Sequence, residues 1–275
     1  LGIGLLMIPR DKAQPLLDFF DGLNALVIKL VEIIMLMAPI GVFGLLADAI
    51  TSIAGDSPGQ ILEVIYALGF YCAVVVLGLA IMVFVVYPTF LKLFTPRSLN
   101  DFFAGIAPAQ LVAFSTSSSG ATLPVTMECA EKNLGVSEEV SSFVLPLGAT
   151  INMDGTALYQ GVAAVFIAQV IGMEIGFAGQ LTIVLTAVLA SIGTAAVPSA
   201  GIVMLVVILE AVGVPAAGIA LILGVDRPLD MLRTTNNITG DAMVASVIAA
   251  SEDKLQLAPD GDGAVSTAAV RETLH

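Results

Sequence analysis

Near the end of this 275-residue chain, Asp226, Arg227, Asp230, Arg233, Thr234, Asn237 and Asp241 have the types and spacing to do chemistry together. On a helix, Asp226, Asp230, Arg233, Asn237 and Asp241 advance by three or four residues at each step, so they share one face, with Thr234 beside Arg233. Arginine grips a carboxylate through two parallel hydrogen bonds, a geometry lysine does not reproduce. Arg233 therefore suits a substrate carboxylate and Asp230 an ammonium group, while Thr234 and Asn237 suit an α-carboxylate. The alternative is an internal pair, Asp230 with Arg233 or Arg227, that ties this segment to its neighbours.

Oxygen ligands form a second group. A helix unwound around Asn152-Met153-Asp154 frees carbonyls beside the Asn and Asp side chains, and hard cations prefer such oxygens. Asp241 adds another carboxylate. A buried carboxylate without a cation tends to stay protonated, which leaves a metal cation or a proton as the partner. The serine run Ser117-Ser118-Ser119-Gly120 offers backbone N–H donors at a helix N-terminus.

Other chemistries lack raw material. The only histidine is His275, so zinc sites and Ser-His catalysis are excluded, and Ser119 has no base to make it a nucleophile. Cys72 and Cys129 have no metal-binding spacing and read as packing residues. Ten scattered Lys and Arg disfavour nucleic acid. The net charge of −13 says little about partners, because many of the acids lie inside apolar segments or after Ser251.

Hydrophobic residues make up 57% of the chain, charged residues 12%, and the mean hydropathy is +0.99. A soluble domain carries about 25% charged residues, so a lipid environment is expected. Residues 64–91 and 211–225 carry no charge, and the first run is long enough to cross a bilayer. Helices are expected over 15–51 and 61–94. From Asp101 onward the apolar pieces shorten. Arms 101–116 and 122–134 flank the serine tip, and arms 176–192 and 202–212 flank a second tip at 193–201. Half-length arms with a small polar tip read as re-entrant hairpins.

Each hairpin is followed by a segment interrupted by polar residues, 150–156 after the first and 236–241 after the second. Such a repeat points to a transporter's substrate site near the bilayer midplane. The expected architecture is an all-α, multi-span membrane protein with broken helices and two re-entrant hairpins. Basic residues fit one orientation: Arg10, Lys12, Lys92, Arg97, Lys132, Lys254 and Arg271 fall on one side, and connections 55–60, 172–180 and 213–216 have none. That puts the C-terminus in the cytoplasm. The segment 253–275, polar and rich in Ala, Asp and Gly, reads as a disordered tail. With no initiator methionine, the chain reads as the C-terminal part of something longer.

The chain resembles the dicarboxylate/amino acid:cation symporter family over residues 1–252. The resemblance rests on Ser117-Ser118-Ser119-Gly120-Ala121-Thr122-Leu123-Pro124, on 146–159 with Asn152-Met153-Asp154-Gly155-Thr156, on Ala190-Ser191-Ile192-Gly193-Thr194, and on Asp230-Met231-Leu232-Arg233-Thr234 with Asn237 and Gly240-Asp241. It implies a plasma-membrane homotrimer without organic cofactor. Residues 1–55 would end a fixed scaffold, and 56–252 would be a transport domain of inverted repeats that moves like an elevator. Within that domain come a long helix, a hairpin at 101–134, a broken helix at 138–172, a hairpin at 176–212 and a final helix at 214–252.

The resemblance further implies one sodium site from Gly148, Asn152, Asn237 and Asp241. A second would come from Thr150, Ser191, Ile192 and Thr194 near Met153, and Asp154 would serve a third. Substrate would meet Ser118, Ser119, Thr156, Val197, Gly201, Asp230, Arg233, Thr234 and Asn237. Some relatives place an extra arginine at the position of Ser117 and others at that of Met231; Arg227 is expected to replace it here. The expected function is sodium-coupled symport of aspartate or glutamate. The alternatives are a proton-coupled C4-dicarboxylate carrier and an anion-conducting channel.

Overall fold

The computed structural model describes residues 4–5, 7–37, 40–41, 43–44, 47 and 58–256. Helix α1 is Arg10–Leu36 and starts before the expected position; Pro15 lies inside it and has no N–H to donate to the carbonyl of Asp11 four residues before. Most of the expected continuation to residue 51 lies outside the described residues, as does 257–275.

Helix α2, Pro58–Ile81, opens on a proline whose fixed φ suits a first helical position. It runs through a π-helical turn, Met82–Val86, into α3, Tyr87–Phe94. Within this rod, Leu62–Phe94 is a 33-residue stretch whose most apolar 18-residue window has a mean hydropathy of 2.7 and is only 17% buried. By length and composition it can cross a membrane.

Helices α4, Leu99–Thr116, and α5, Ser119–Glu128, pack against each other. Ser98 caps α4 by accepting from the Asp101 N–H at 3.2 Å, and Ser118 caps α5 by accepting from the Ala121 N–H at 3.1 Å. Between the two, Ser117 takes a left-handed φ of 55°, so the reversal needs only two residues. After a π turn at Cys129–Asn133 comes α6, Glu138–Ile151, capped by Ser137 and carrying Glu138 and Glu139 in its first turn. Asn152 and Met153 leave helical geometry, with ψ near 59° and 57°, and α7 resumes at Asp154–Val170. Helices α8, Phe177–Ile192, and α9, Ala200–Ala211, pack together across a turn in which Ser199 has φ 59°. A 3₁₀ turn, Ala216–Ile219, leads into α10, Ala220–Ser251.

Helix α10 is the axis of the fold and packs against α2, α3, α4, α5, α6 and α7. Two apolar clusters divide it lengthwise. Tyr71, Val75, Ile167, Ile183, Leu205 and Ile208 gather around Leu221, Ile222 and Leu229. Leu91, Phe102, Ile106, Leu134 and Leu145 gather around Ile238, Ala242 and Ala245. The outer surface is apolar too, with Phe70, Phe84, Leu111, Phe143, Leu189 and Val203 each about 70% exposed or more. Contiguous apolar surface on this scale needs a lipid or protein cover.

Two expectations change. The chain breaks at 152–153, but the second expected interruption, 236–241, is unbroken helix within α10. There the polar side chains bond to α7 and α3, so the backbone has no reason to open. The start of the expected tail is also placed. Leu255 pairs with Val136, the Gln256 N–H donates to Gly135 O at 2.7 Å, and Lys254 reaches Glu139 at 3.0 Å. The Arg97 guanidinium donates to Leu134 O beside them.

Gly135 has φ 62°, and a Cβ there would lie 1.8 Å from Gln256 O. In Gly135→Ala the left-handed backbone alone costs about 1–2 kcal/mol, and the clash expels residues 254–256. Limited proteolysis should cut after Lys254 faster in the variant than in the parent; equal rates would refute the clasp.

Candidate functional site

The tips of the two helix pairs meet over the middle of α10. Ala196 O accepts from the Ser118 hydroxyl at 2.7 Å and from the Gly120 N–H at 3.1 Å. Beneath that clasp lies a polar cavity of about 20 Å³. Its walls include eight of the expected substrate residues, Ser119, Thr156, Val197, Gly201, Asp230, Arg233, Thr234 and Asn237, together with Ser117, Met153 and Thr194. This volume holds about one water molecule, so a larger solute enters only when a wall moves.

Arg233 is 2% exposed and lies with its guanidinium carbon 4.1 Å from the centre of the Tyr159 ring. Its Nη2 donates to Asp230 Oδ1 at 2.5 Å. Its Nη1 lies 3.6 Å from Asp226 Oδ1, too far for a hydrogen bond, and neither atom has another partner. The internal Asp230–Arg233 pair is therefore formed, with one donor of the guanidinium still free. Ser199 braces both acids from the second tip: its N–H donates to Asp230 Oδ2 at 2.8 Å and its hydroxyl to Asp226 Oδ2 at 3.2 Å. The left-handed φ of Ser199 aims that N–H. The Ser117 hydroxyl, buried on the cavity wall, has no partner either.

Helix α7 supplies the opposite wall because the break at 152–153 brings its first turn against α10. The Gly155 N–H donates to Asn237 Oδ1 at 2.9 Å, and Asn237 Nδ2 donates to Thr156 Oγ1 at 3.2 Å. A Cβ on Gly155 would stand 2.9 Å from both the Asn236 and Asn237 amides, so only glycine fits. Gln160 Nε2 donates to Gly201 O at 2.9 Å and ties α7 to the second tip.

Two expected substrate residues lie elsewhere. Ser118 spends its hydroxyl on Ala196, and Arg227 is half-buried off the cavity with Nη1 unpartnered. Of the expected cation ligands, Asp241 sits against Gly148 and accepts from Asn152 Nδ2 at 2.8 Å, with Asn237 one turn away on α10. Met153 and Thr194 line the cavity, Ser191 is buried at the end of α8, and Thr150 and Ile192 are exposed. Asp154 belongs to a separate cluster with Tyr87 and Asn236. Among the described residues, no group of three or more His, Cys, Asp or Glu is placed to hold a metal. The donors are oxygens of single carboxylates, amides and backbone, the ligand type that hard cations take.

The model of the sodium:dicarboxylate symporter family matches residues 1–251. This chain belongs to that family. It is similar to excitatory amino acid transporter 1 from Homo sapiens, with 44% identity over 241 residues, 87% of this chain and 43% of that protein. Excitatory amino acid transporters 2 and 3 from Homo sapiens are each 45% identical, over 239 and 238 residues; both alignments cover 86% of this chain, and 41% and 44% of the relatives. The chain thus spans less than half the length of these curated relatives.

The other residues that build the site, Asp226, Tyr159, Ser199, Gln160 and Tyr87, were not among the expected ligands. Asp226 shares the polar face of α10 and was legible to that extent. The rest lie on other elements, and no spacing connects them to it.

In Gly148→Ala the new methyl would sit 2.7 Å from Asp241 Oδ1. Overpacking of this kind costs about 1–3 kcal/mol. If Asp241 is a sodium ligand as expected, the sodium concentration that stabilises the protein against thermal unfolding, measured against choline at constant ionic strength, rises at least about tenfold. An unchanged titration would remove Asp241 from the cation site.

Proposed function

We propose that this chain carries the substrate and ion sites of a sodium-coupled symporter for acidic amino acids. The observation that supports it best is the buried Arg233, paired with Asp230 yet keeping one free donor, on the wall of a polar cavity. A buried ion pair is costly unless each charge is matched. An amino acid with a side-chain carboxylate brings its own pair of opposite charges. On binding, Arg233 exchanges Asp230 for the side-chain carboxylate, and Asp230 takes the ammonium. The α-carboxylate falls to Thr234, Asn237 and the donors of the serine tip. A dicarboxylate without nitrogen would leave Asp230 unmatched, which favours the amino acid.

In this reading the two helix pairs are re-entrant hairpins in a bilayer, and the second is the gate. Opening it breaks the bonds of Ala196 to Ser118 and Gly120 and enlarges the cavity; closing it excludes water around the bound solute. Sodium is co-substrate, held at Asp241 and near the end of α8, where C-terminal helix carbonyls favour a cation. Its charge offsets the net negative charge of the solute. The whole protein works in the plasma membrane as a homotrimer of elevator type, with the C-terminus in the cytoplasm.

The test is uptake of labelled aspartate by vesicles containing the full-length protein, with and without a sodium gradient. Uptake should require sodium and should fail for Arg233→Ala, since stranding one partner of a buried charge pair costs about 2–5 kcal/mol. Uptake driven by protons alone would indicate the C4-dicarboxylate alternative, and unchanged aspartate transport by Arg233→Ala would defeat the assignment.

Ser118→Ala removes one tip-to-tip hydrogen bond worth about 1 kcal/mol. Apparent aspartate affinity should weaken about fivefold, because less of the protein is closed. An unchanged affinity would refute the clasp as part of the gate.

A further inference from the structure

Asp154 is wrapped in hydrogen-bond donors. Tyr87 donates its hydroxyl to Oδ2 at 2.5 Å, the Gly155 N–H donates to Oδ1 at 2.8 Å, and Asn236 Nδ2 donates to Oδ1 at 3.2 Å. The same Asn236 Nδ2 donates to the Tyr87 oxygen at 2.8 Å. Tyr87 and Asn236 are each 1% exposed.

Three features of the chain converge on this contact. The π turn Met82–Val86 ends immediately before Tyr87. Such a turn shifts the register of everything after it, and π turns recur at functional sites. Gly240, on the neighbouring turn of α10, has no side chain where a Cβ would meet the Tyr87 hydroxyl at 2.9 Å and Asp154 Oδ2 at 3.2 Å. Finally, Asn236 Oδ1 is buried with no partner. Its amide is oriented by what it donates, and an idle oxygen is left beside the carboxylate.

A cation at Asp154 needs lone pairs, but these groups present hydrogens. The hydroxyl proton of Tyr87 occupies a lone pair of Oδ2 that a cation would use. Turning the O–H away exposes the tyrosine oxygen, and flipping the Asn236 amide replaces its NH₂ with the idle oxygen. A donor shell becomes an acceptor shell with no movement of backbone.

We propose that Tyr87 is a positioning residue that holds Asp154 in its cation-free form and so sets the sodium concentration at which this carboxylate is filled. This rests on sodium being the coupling ion. The hydroxyl competes with the cation, and Asn236 switches with it.

The test is a sodium titration of purified full-length protein without amino acid, read from the thermal unfolding midpoint at constant ionic strength. Removing a hydrogen bond to a charged group from the cation-free form alone should tighten the apparent Kd for sodium in Tyr87→Phe by about tenfold or more. Gly240→Ala, which pushes the same hydroxyl aside from another helix, should shift the titration in the same direction. In Asp154→Asn, adding Tyr87→Phe should bring no further gain. An unchanged or weaker sodium response in both Tyr87→Phe and Gly240→Ala overturns the proposal. A parent protein that gives no sodium response refutes the coupling itself and the role of Tyr87 with it.

Discussion

Helix α10 carries Asp226, Asp230, Arg233, Asn236, Asn237 and Asp241 through the interior of an otherwise apolar molecule, and each is at most 3% exposed. Burying so many polar groups is tolerable only if every one finds a partner. That requirement organises the rest of the fold. Helix α7 must begin at residue 154 so that its first N–H groups and Thr156 meet Asn237. The second tip must reach α10 so that Ser199 can brace Asp226 and Asp230. The break at 152–153, the left-handed Ser199 and the side-chain-free Gly155 are all ways of bringing donors to one stripe of acceptors.

The apolar packing makes this possible by staying out of the way. One cluster covers the first half of α10 and the other the second half, and the polar residues occupy the seam between them. A continuous core would have sealed the middle of the helix. Two separate cores leave a layer there in which tips, a helix break and side-chain amides can meet. The cavity is small because the tips are clasped over it, and Ala196 O holds that clasp with two hydrogen bonds. These are net contributions of about 1 kcal/mol each.

Arg233 shows how each buried charge on this helix is matched. Its charge is balanced by Asp230 and approached by Asp226, and its plane is covered by Tyr159. The Asp154 cluster follows the same logic, with Tyr87 and Asn236 standing in for a positive charge around a buried carboxylate.

Much of this was legible in the residues. The helical character, the two pairs of half-length arms, the break at Asn152-Met153 and the polar stripe follow from hydropathy, breakers and three-or-four spacing, all of which act within a few residues along the chain. The family resemblance added which of those residues share a cavity. Sequence misled at 236–241, where a polar run suggested an interrupted helix, because bonds to α7 and α3 satisfy those side chains from outside. Only the tertiary structure decided that Ser118 clasps the opposite tip, that Arg227 lies off the cavity, that Tyr159 lies under Arg233, and that a π turn aims Tyr87 at Asp154. Each of these joins residues far apart in the chain, and such distances are set by packing and desolvation, on which local spacing carries no information.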